Sequence, residues 1–255
     1  MRTVRAWLAL VWLSFQRLLW SSGTLMVMFP IVACGLFLIR RRYNVRTDIP
    51  ATFDEFSRLF VVGIFTLFVV PICAVAYATT SIGGDREDRT LLFLLTRPLP
   101  RALILLGKLA ATLPLVVGLS VLTFYVYCRL AGDVGDLALK FYLPAVFYMA
   151  LAYTCVFHLF AVTFRHSTIV ALIYALFMEY FLGNLPGIVK RVAVNYYARS
   201  MIYRYGESEG LLPPPQAIFE PIPAGHAEAA LAWISAGAVI TSLIIFQRRE
   251  YRDLT

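Results

Sequence analysis

Charged side chains are scarce in this chain, 15% of 255 residues against 60% that are hydrophobic. So few polar groups cannot cover a water-soluble domain, and a mean hydropathy of +0.74 points the same way, to an integral membrane protein. Acidic residues are scarcer still, 15 against 23 Lys and Arg, for a net charge of +8. In a soluble protein that surplus would suggest nucleic acid. Here the basic residues flank apolar runs, where headgroup attraction and positional retention explain them. The expected surroundings are membrane lipid, with no nucleic-acid partner.

Cysteine is sparse and unpaired. Cys34, Cys73, Cys128 and Cys155 lie within or at the ends of apolar runs and form no C-x-x-C, which argues against a thiolate metal site and for small buried hydrophobes. Catalytic motifs are missing too. There is no G-x-x-x-x-G-K-[ST], since Gly107 and Lys108 are followed by Leu109, and no H-E-x-x-H or G-x-S-x-G. No room remains for a separate soluble catalytic domain, so no catalytic residue, metal or cofactor is expected in this chain. His158 lies inside an apolar run without an evident serine partner, and reads as a packed, hydrogen-bonded histidine. No cleavable leader is expected, because Arg5, Gln16 and Arg17 interrupt the N-terminal apolar stretch.

What the chain does have is long apolar runs. They lie at about 20–39, 59–82, 103–128, 141–164, 168–185 and 227–246, each read as a crossing of about 30 Å of hydrocarbon at about 1.5 Å per residue. Pro30, Pro71, Pro114 and Pro144 fall inside them and are tolerated where packed neighbours re-satisfy freed carbonyls. The fold class is therefore all-α: a single membrane domain over 1–255 with six transmembrane helices. Ahead of them, 3–20 reads as an interfacial helix. Arg2, Arg5, Gln16 and Arg17 share one sector of about 120° at about 100° per residue, and an Arg well inside a span costs about 2.5–3.5 kcal/mol.

An even number of spans puts both termini on one side, with the loops after spans two and four. Lys and Arg are balanced between the two sides, and only Lys108 tips the count toward cytoplasmic termini. The long connection at about 186–226 reads as a cap on the other side. Ile188, Val189, Val192, Ala193, Tyr196 and Tyr197 recur at helical spacing against Lys190, Arg191, Asn195 and Arg199, an interfacial amphipathic pattern. The rest of the cap, with its Gly and Pro, reads as irregular. Three intramembrane polar residues stand out as candidates: Lys108, His158 and Glu179. A carboxylate such as Glu179 faces protein or water, and the expected partner is Lys190 or Arg191.

The stretch most suited to a partner is 83–108, GGDREDRTLLFLLTRPLPRALILLGK, a polar cluster and a short amphipathic helix tethered between two spans. Asp85 to Arg89 stop the second span, and Thr90 suits an N-cap with acids just upstream. Leu91, Leu92, Leu94 and Leu95 make an apolar face that ends at Pro98 and Pro100. Two turns of helix do not hold in water alone, so these leucines call for a groove on another surface.

The pattern acid-x-acid, then T-L-x-x-L-L-x-x-P-x-x-R-x-x-x-x-x-G-K, resembles the signature between the second and third spans of ABC-2-type transporter permeases, the membrane subunits of ABC exporters. Asp85 and Glu87 match the acids, Thr90, Leu91, Leu94 and Leu95 the short helix, Pro98 and Arg101 its exit, and Gly107 with Lys108 the restart of span three. Arg89 stands where the family usually has glycine. The resemblance implies a coupling helix that docks on a separate ABC ATPase subunit, which carries the ATP and Mg, and a working unit with a second permease, identical or related. Leu91, Leu94 and Leu95 would be the docking knobs, and Arg97 and Arg101 would bind acidic or carbonyl groups on the ATPase. Asp85 and Glu87 would anchor the helix to nearby basic residues, and the loop at 165–167 would be a second contact. It also implies a multi-pass protein of the inner (plasma) membrane with both termini cytoplasmic. The rival reading is a membrane scaffold that recruits a soluble partner through the 83–102 loop.

Overall fold

The computed structural model describes residues 2–43, 52–88, 99–179, 181, 189–215 and 219–248. Among these every regular element is helical. Helix α1 runs over Arg2–Leu19 and α2 over Ser22–Tyr43. A continuous run over 53–87 is α3; α4 is Arg101–Ala131 and α5 is Asp133–Thr163. A short helix over 167–179 is α6, α7 is Val194–Gly206 and α8 is Ala224–Arg248.

Among the described residues, five helices are long and apolar enough to cross a membrane: α2, α3, α4, α5 and α8. The 31 residues of α4 and of α5 reach about 46 Å at 1.5 Å per residue, so they overrun the hydrocarbon at one end or both. The run expected at 168–185 is represented by a shorter apolar helix, Ser167–Phe177; Tyr180 and 182–188 lie outside the described residues. Within α3, wide π-type turns at Phe56–Val69 and Val75–Thr79 bracket Pro71. Proline lacks an N–H for the ordinary ladder, and a widened ladder can take up that break.

Polar side chains inside the bundle are mostly satisfied locally. Thr66, Thr112, Thr154, Ser235 and Ser242 each donate to the carbonyl four residues back, as hydroxyls in apolar helices do. The core between α3 and α4 is aromatic. Phe60 meets Tyr127 edge-on at 5.2 Å and Phe65 lies 5.1 Å from Phe124. The Tyr127 hydroxyl then donates to the Ile31 carbonyl at 2.7 Å, which ties α2 to this cluster.

One tight hairpin aligns α4 and α5. Gly132, between α4 and α5, has φ 78°, a conformation that glycine adopts without a Cβ clash. At Gly135 an added Cβ would stand 1.9 Å from the Cys128 carbonyl oxygen, so the two helices touch backbone to backbone.

The cap departs from the amphipathic expectation. Val189–Val192 is a short 3-10 turn and α7 begins only at Val194. Its polar members Lys190, Asn195 and Arg199 are buried, while Val189 and Val192 are exposed. Aromatic faces explain the inversion for the cations. The Lys190 ammonium lies 5.6 Å from the Tyr196 ring centre and 6.0 Å from that of Phe219, and the Arg199 guanidinium 4.6 Å from Phe219. The cap joins α3 and α8 through Arg58 to the Leu212 carbonyl at 2.8 Å and through a short Tyr205–Glu228 hydrogen bond. Burial first, and the Glu228 carboxylate second, push the Tyr205 hydroxyl up to about 12, so it remains a donor through the neutral range.

Candidate functional site

Asp85, the first acid of the 83–108 stretch, sits two residues before the end of α3 and is 1% exposed. A carboxylate so deeply buried needs compensation, and two cations supply it. Lys108, buried two turns into α4, places Nζ 2.5 Å from Asp85 Oδ2. Arg17, at the end of α1, pairs with Asp85 Oδ1 and reaches Asp88 Oδ2 at 2.6 Å. The two ends of the 83–108 stretch are thus joined through the same carboxylate that holds α1.

The α1 contact rests on close approach as well as charge. Trp7 Nε1 donates to the Leu103 carbonyl at 2.9 Å. At Gly107 a Cβ would stand 3.1 Å from Trp7 Nε1 and 3.2 Å from Leu10 Cδ2, so the glycine beside Lys108 is what lets α1 lie flat against α4. Arg86 points the other way. Its Nη1 donates to the Phe164 carbonyl at 3.1 Å, satisfying the C-terminus of α5 and binding the turn before α6 to the end of α3. Beside it, Gly83 packs so closely on Ser167 that a Cβ would lie 2.6 Å from the hydroxyl.

The remaining residues of the stretch are placed as follows. Glu87 is the last residue of α3, its side chain outside the described residues. Thr90, Leu91, Leu94, Leu95, Arg97 and Pro98 also lie outside the described residues. Arg101 opens α4, exposed, with Nη1 3.5 Å from the Gln247 carbonyl near the end of α8. The ends of α3, α4 and α8 and the whole of α1 therefore converge on one end of the bundle. The cap, at the starts of α3 and α5, occupies the opposite end.

Of the two other candidates, His158 lies near Leu105 and Lys108 of α4, and Glu179 meets the start of α7. His158 is buried in α5, with Nδ1 3.2 Å from Ser81 Oγ of α3. Glu179, 1% exposed, takes neither Lys190 nor Arg191 as its partner. Its two oxygens accept the Val194 and Asn195 backbone N–H groups at 3.0 and 2.9 Å, the first orphan donors of α7.

Three participants were not singled out from sequence: Arg17 as the bridge, Asp88 as its second acceptor and Trp7 as the anchor of α1. Arg17 was visible as a cation in an apolar helix, but its partner lies 68 residues away. Among the described residues no three His, Cys, Asp or Glu side chains group as a metal site. A sequence model described as ABC-2 family transporter protein matches residues 14–204, from within α1 to within α7. No curated protein matches the chain.

Proposed function

The chain belongs to the ABC-2 transporter family, and from that premise we propose that it is the transmembrane permease subunit of an ATP-binding cassette exporter. A separate ABC ATPase subunit, carrying ATP and Mg, drives it, and two permease chains form the pathway. The 83–102 loop would carry its coupling helix. In this reading the shorter helix α6 belongs to a sixth crossing, 186–226 forms an external cap, and both termini and the 83–102 loop are cytoplasmic at the plasma membrane.

The observation that supports this best is the Asp85 junction. A loop that must pass force from a soluble motor to membrane helices needs roots that do not slip. Its roots here are tied to each other by Asp85–Lys108 and to α1 by Arg17. Any push on the loop would then move α1, α3 and α4 together.

The test is ATP-driven transport in the reconstituted complex with Leu94→Asp and, separately, Arg101→Glu. Loss of transport by tenfold or more (about 1.4 kcal/mol or more) is expected, with weakened retention of the ATPase. Unchanged transport in both variants, or a co-purifying partner with no ATPase motif, would refute the proposal, the latter in favour of a scaffold.

A further inference from the structure

Helix α3 is fastened at both ends and held only by apolar packing between them. At its outer end the Ser57 and Tyr142 hydroxyls lie 2.9 Å apart, and Arg58 holds the Leu212 carbonyl. At its inner end Thr79 meets Thr168 of α6 at 3.0 Å, and Asp85 and Arg86 make the contacts described above. From 59 to 76 the only polar side chains are Cys73 and Thr66, which donates to its own helix. The two wide segments on either side of Pro71 occupy this stretch. The outer one is marked in three ways. The Val70 N–H bonds to the Phe65 carbonyl, five residues back. An added Cβ at Gly63 would stand 3.3 Å from the Arg58 carbonyl, also five back, whereas at Gly118 and Gly237, in ordinary α-helix, nothing lies within 4 Å. Finally, Phe60 and Phe65 both face Tyr127, with ring centres 5.2 and 6.1 Å away. At about 100° per residue, positions five apart on an α-helix are about 140° apart and point to different sides, so it is the wide winding that brings both rings to one tyrosine.

We propose that α3 is a conformational switch in which one surplus residue passes between the two wide segments, across Pro71. In the form seen here the outer segment holds it, and Phe60 and Phe65 clamp Tyr127, whose hydroxyl in turn holds the Ile31 carbonyl of α2. When the outer segment winds to α and the inner one widens further, the anchored ends keep their places. The portion between them turns by about 100°, one residue's worth of helix. Phe65 then leaves Tyr127 while Phe60 stays, and the tie from α3 through Tyr127 to α2 loosens. Pro71 has no N–H, so the surplus residue crosses at a position where no ladder bond has to break. The switch stands on the geometry of α3 alone; its use in transport rests on the ATP-driven reading.

The experiment is hydrogen–deuterium exchange of the full chain in lipid nanodiscs without the ATPase, so that its outcome is separate from that reading. The reference is α5, whose apolar window is 67% buried like that of α3 and which also contains a proline, Pro144, but is wound as an ordinary α-helix. Ladder bonds that change partners open more often, so the amides of 59–70 should exchange about tenfold or more faster than those of 145–156. Gly63→Ala sets a methyl group against the Arg58 carbonyl in the wide winding, and should therefore drive the surplus residue inward. Protection then rises at 59–70 and falls at 75–79, by about threefold or more in each. A helix that is merely stiffer would gain protection in both. Exchange at 59–70 as slow as in α5 would overturn the proposal, as would protection in Gly63→Ala that is unchanged or moves the same way in the two segments. Should Gly63→Ala fail to assemble, Pro71→Ala decides: a restored N–H between the segments should remove the excess exchange at 59–70, and exchange left as fast as in wild type overturns the switch.

Discussion

At the scale of single residues, Asp85 compensates a buried lysine while holding a half-exposed arginine. The two contacts are unequal. Arg17 is exposed enough for water to replace much of what it loses, whereas Lys108 has no such recourse. Asp85→Asn is therefore expected to destabilise the protein by about 3–5 kcal/mol, the usual cost of stranding a buried charge. Arg17→Gln should cost about 1 kcal/mol or less. Thermal unfolding in detergent of both variants, with Asp85→Asn/Lys108→Met as the neutral control, would show whether the larger loss comes from the stranded lysine. The control should recover most of it. The notation G-K in the 83–108 stretch acquires two separate physical meanings here: the lysine meets Asp85, and the glycine clears a path for Trp7 and Leu10.

At the scale of elements, glycines at close approaches matter more than glycines in general. Gly135→Ala places a Cβ against the Cys128 carbonyl oxygen, a backbone atom that cannot turn aside, and should prevent the α4–α5 hairpin from closing. Gly118, in the middle of α4, has nothing within 4 Å of the same added atom, and its alanine variant should be neutral or more stable by about 0.5–1 kcal/mol. The yield of monodisperse protein on size exclusion distinguishes the two. Much of this level was legible beforehand. The apolar runs at 103–128 and 141–164 located α4 and α5. The cap was not. Helical spacing set Lys190, Arg191, Asn195 and Arg199 against the apolar positions, but it did not show that Lys190 and Arg199 would turn inward onto Phe219, which is 20 residues beyond Arg199 and in an irregular segment. The partner of Glu179 was missed for a related reason: backbone N–H groups carry no signature in sequence.

At the scale of the whole molecule, the helices are unequally embedded. The apolar windows of α3 and α5 are 67% buried within the chain, that of α2 only 11%, so α2 offers most of its surface to the membrane or to another chain. Phe29, exposed on α2, and Phe65, fully buried on α3, are a direct comparison. Phe65→Ala should cost about 3–5 kcal/mol in unfolding of the isolated chain, and Phe29→Ala within about 0.5 kcal/mol of zero. Chemical denaturation in mixed micelles measures both. Sequence by itself determined that this is an all-α membrane protein, roughly where its long helices run, and where its loop of densest polarity lies. Those follow from composition and from the fixed thickness of hydrocarbon, which set run length without reference to any neighbour. Which charges meet was decided only in three dimensions. Arg17 finds Asp85, Glu179 finds the start of α7, and two cap cations find one ring, because each of these contacts joins segments whose separation along the chain carries no information about their distance in space.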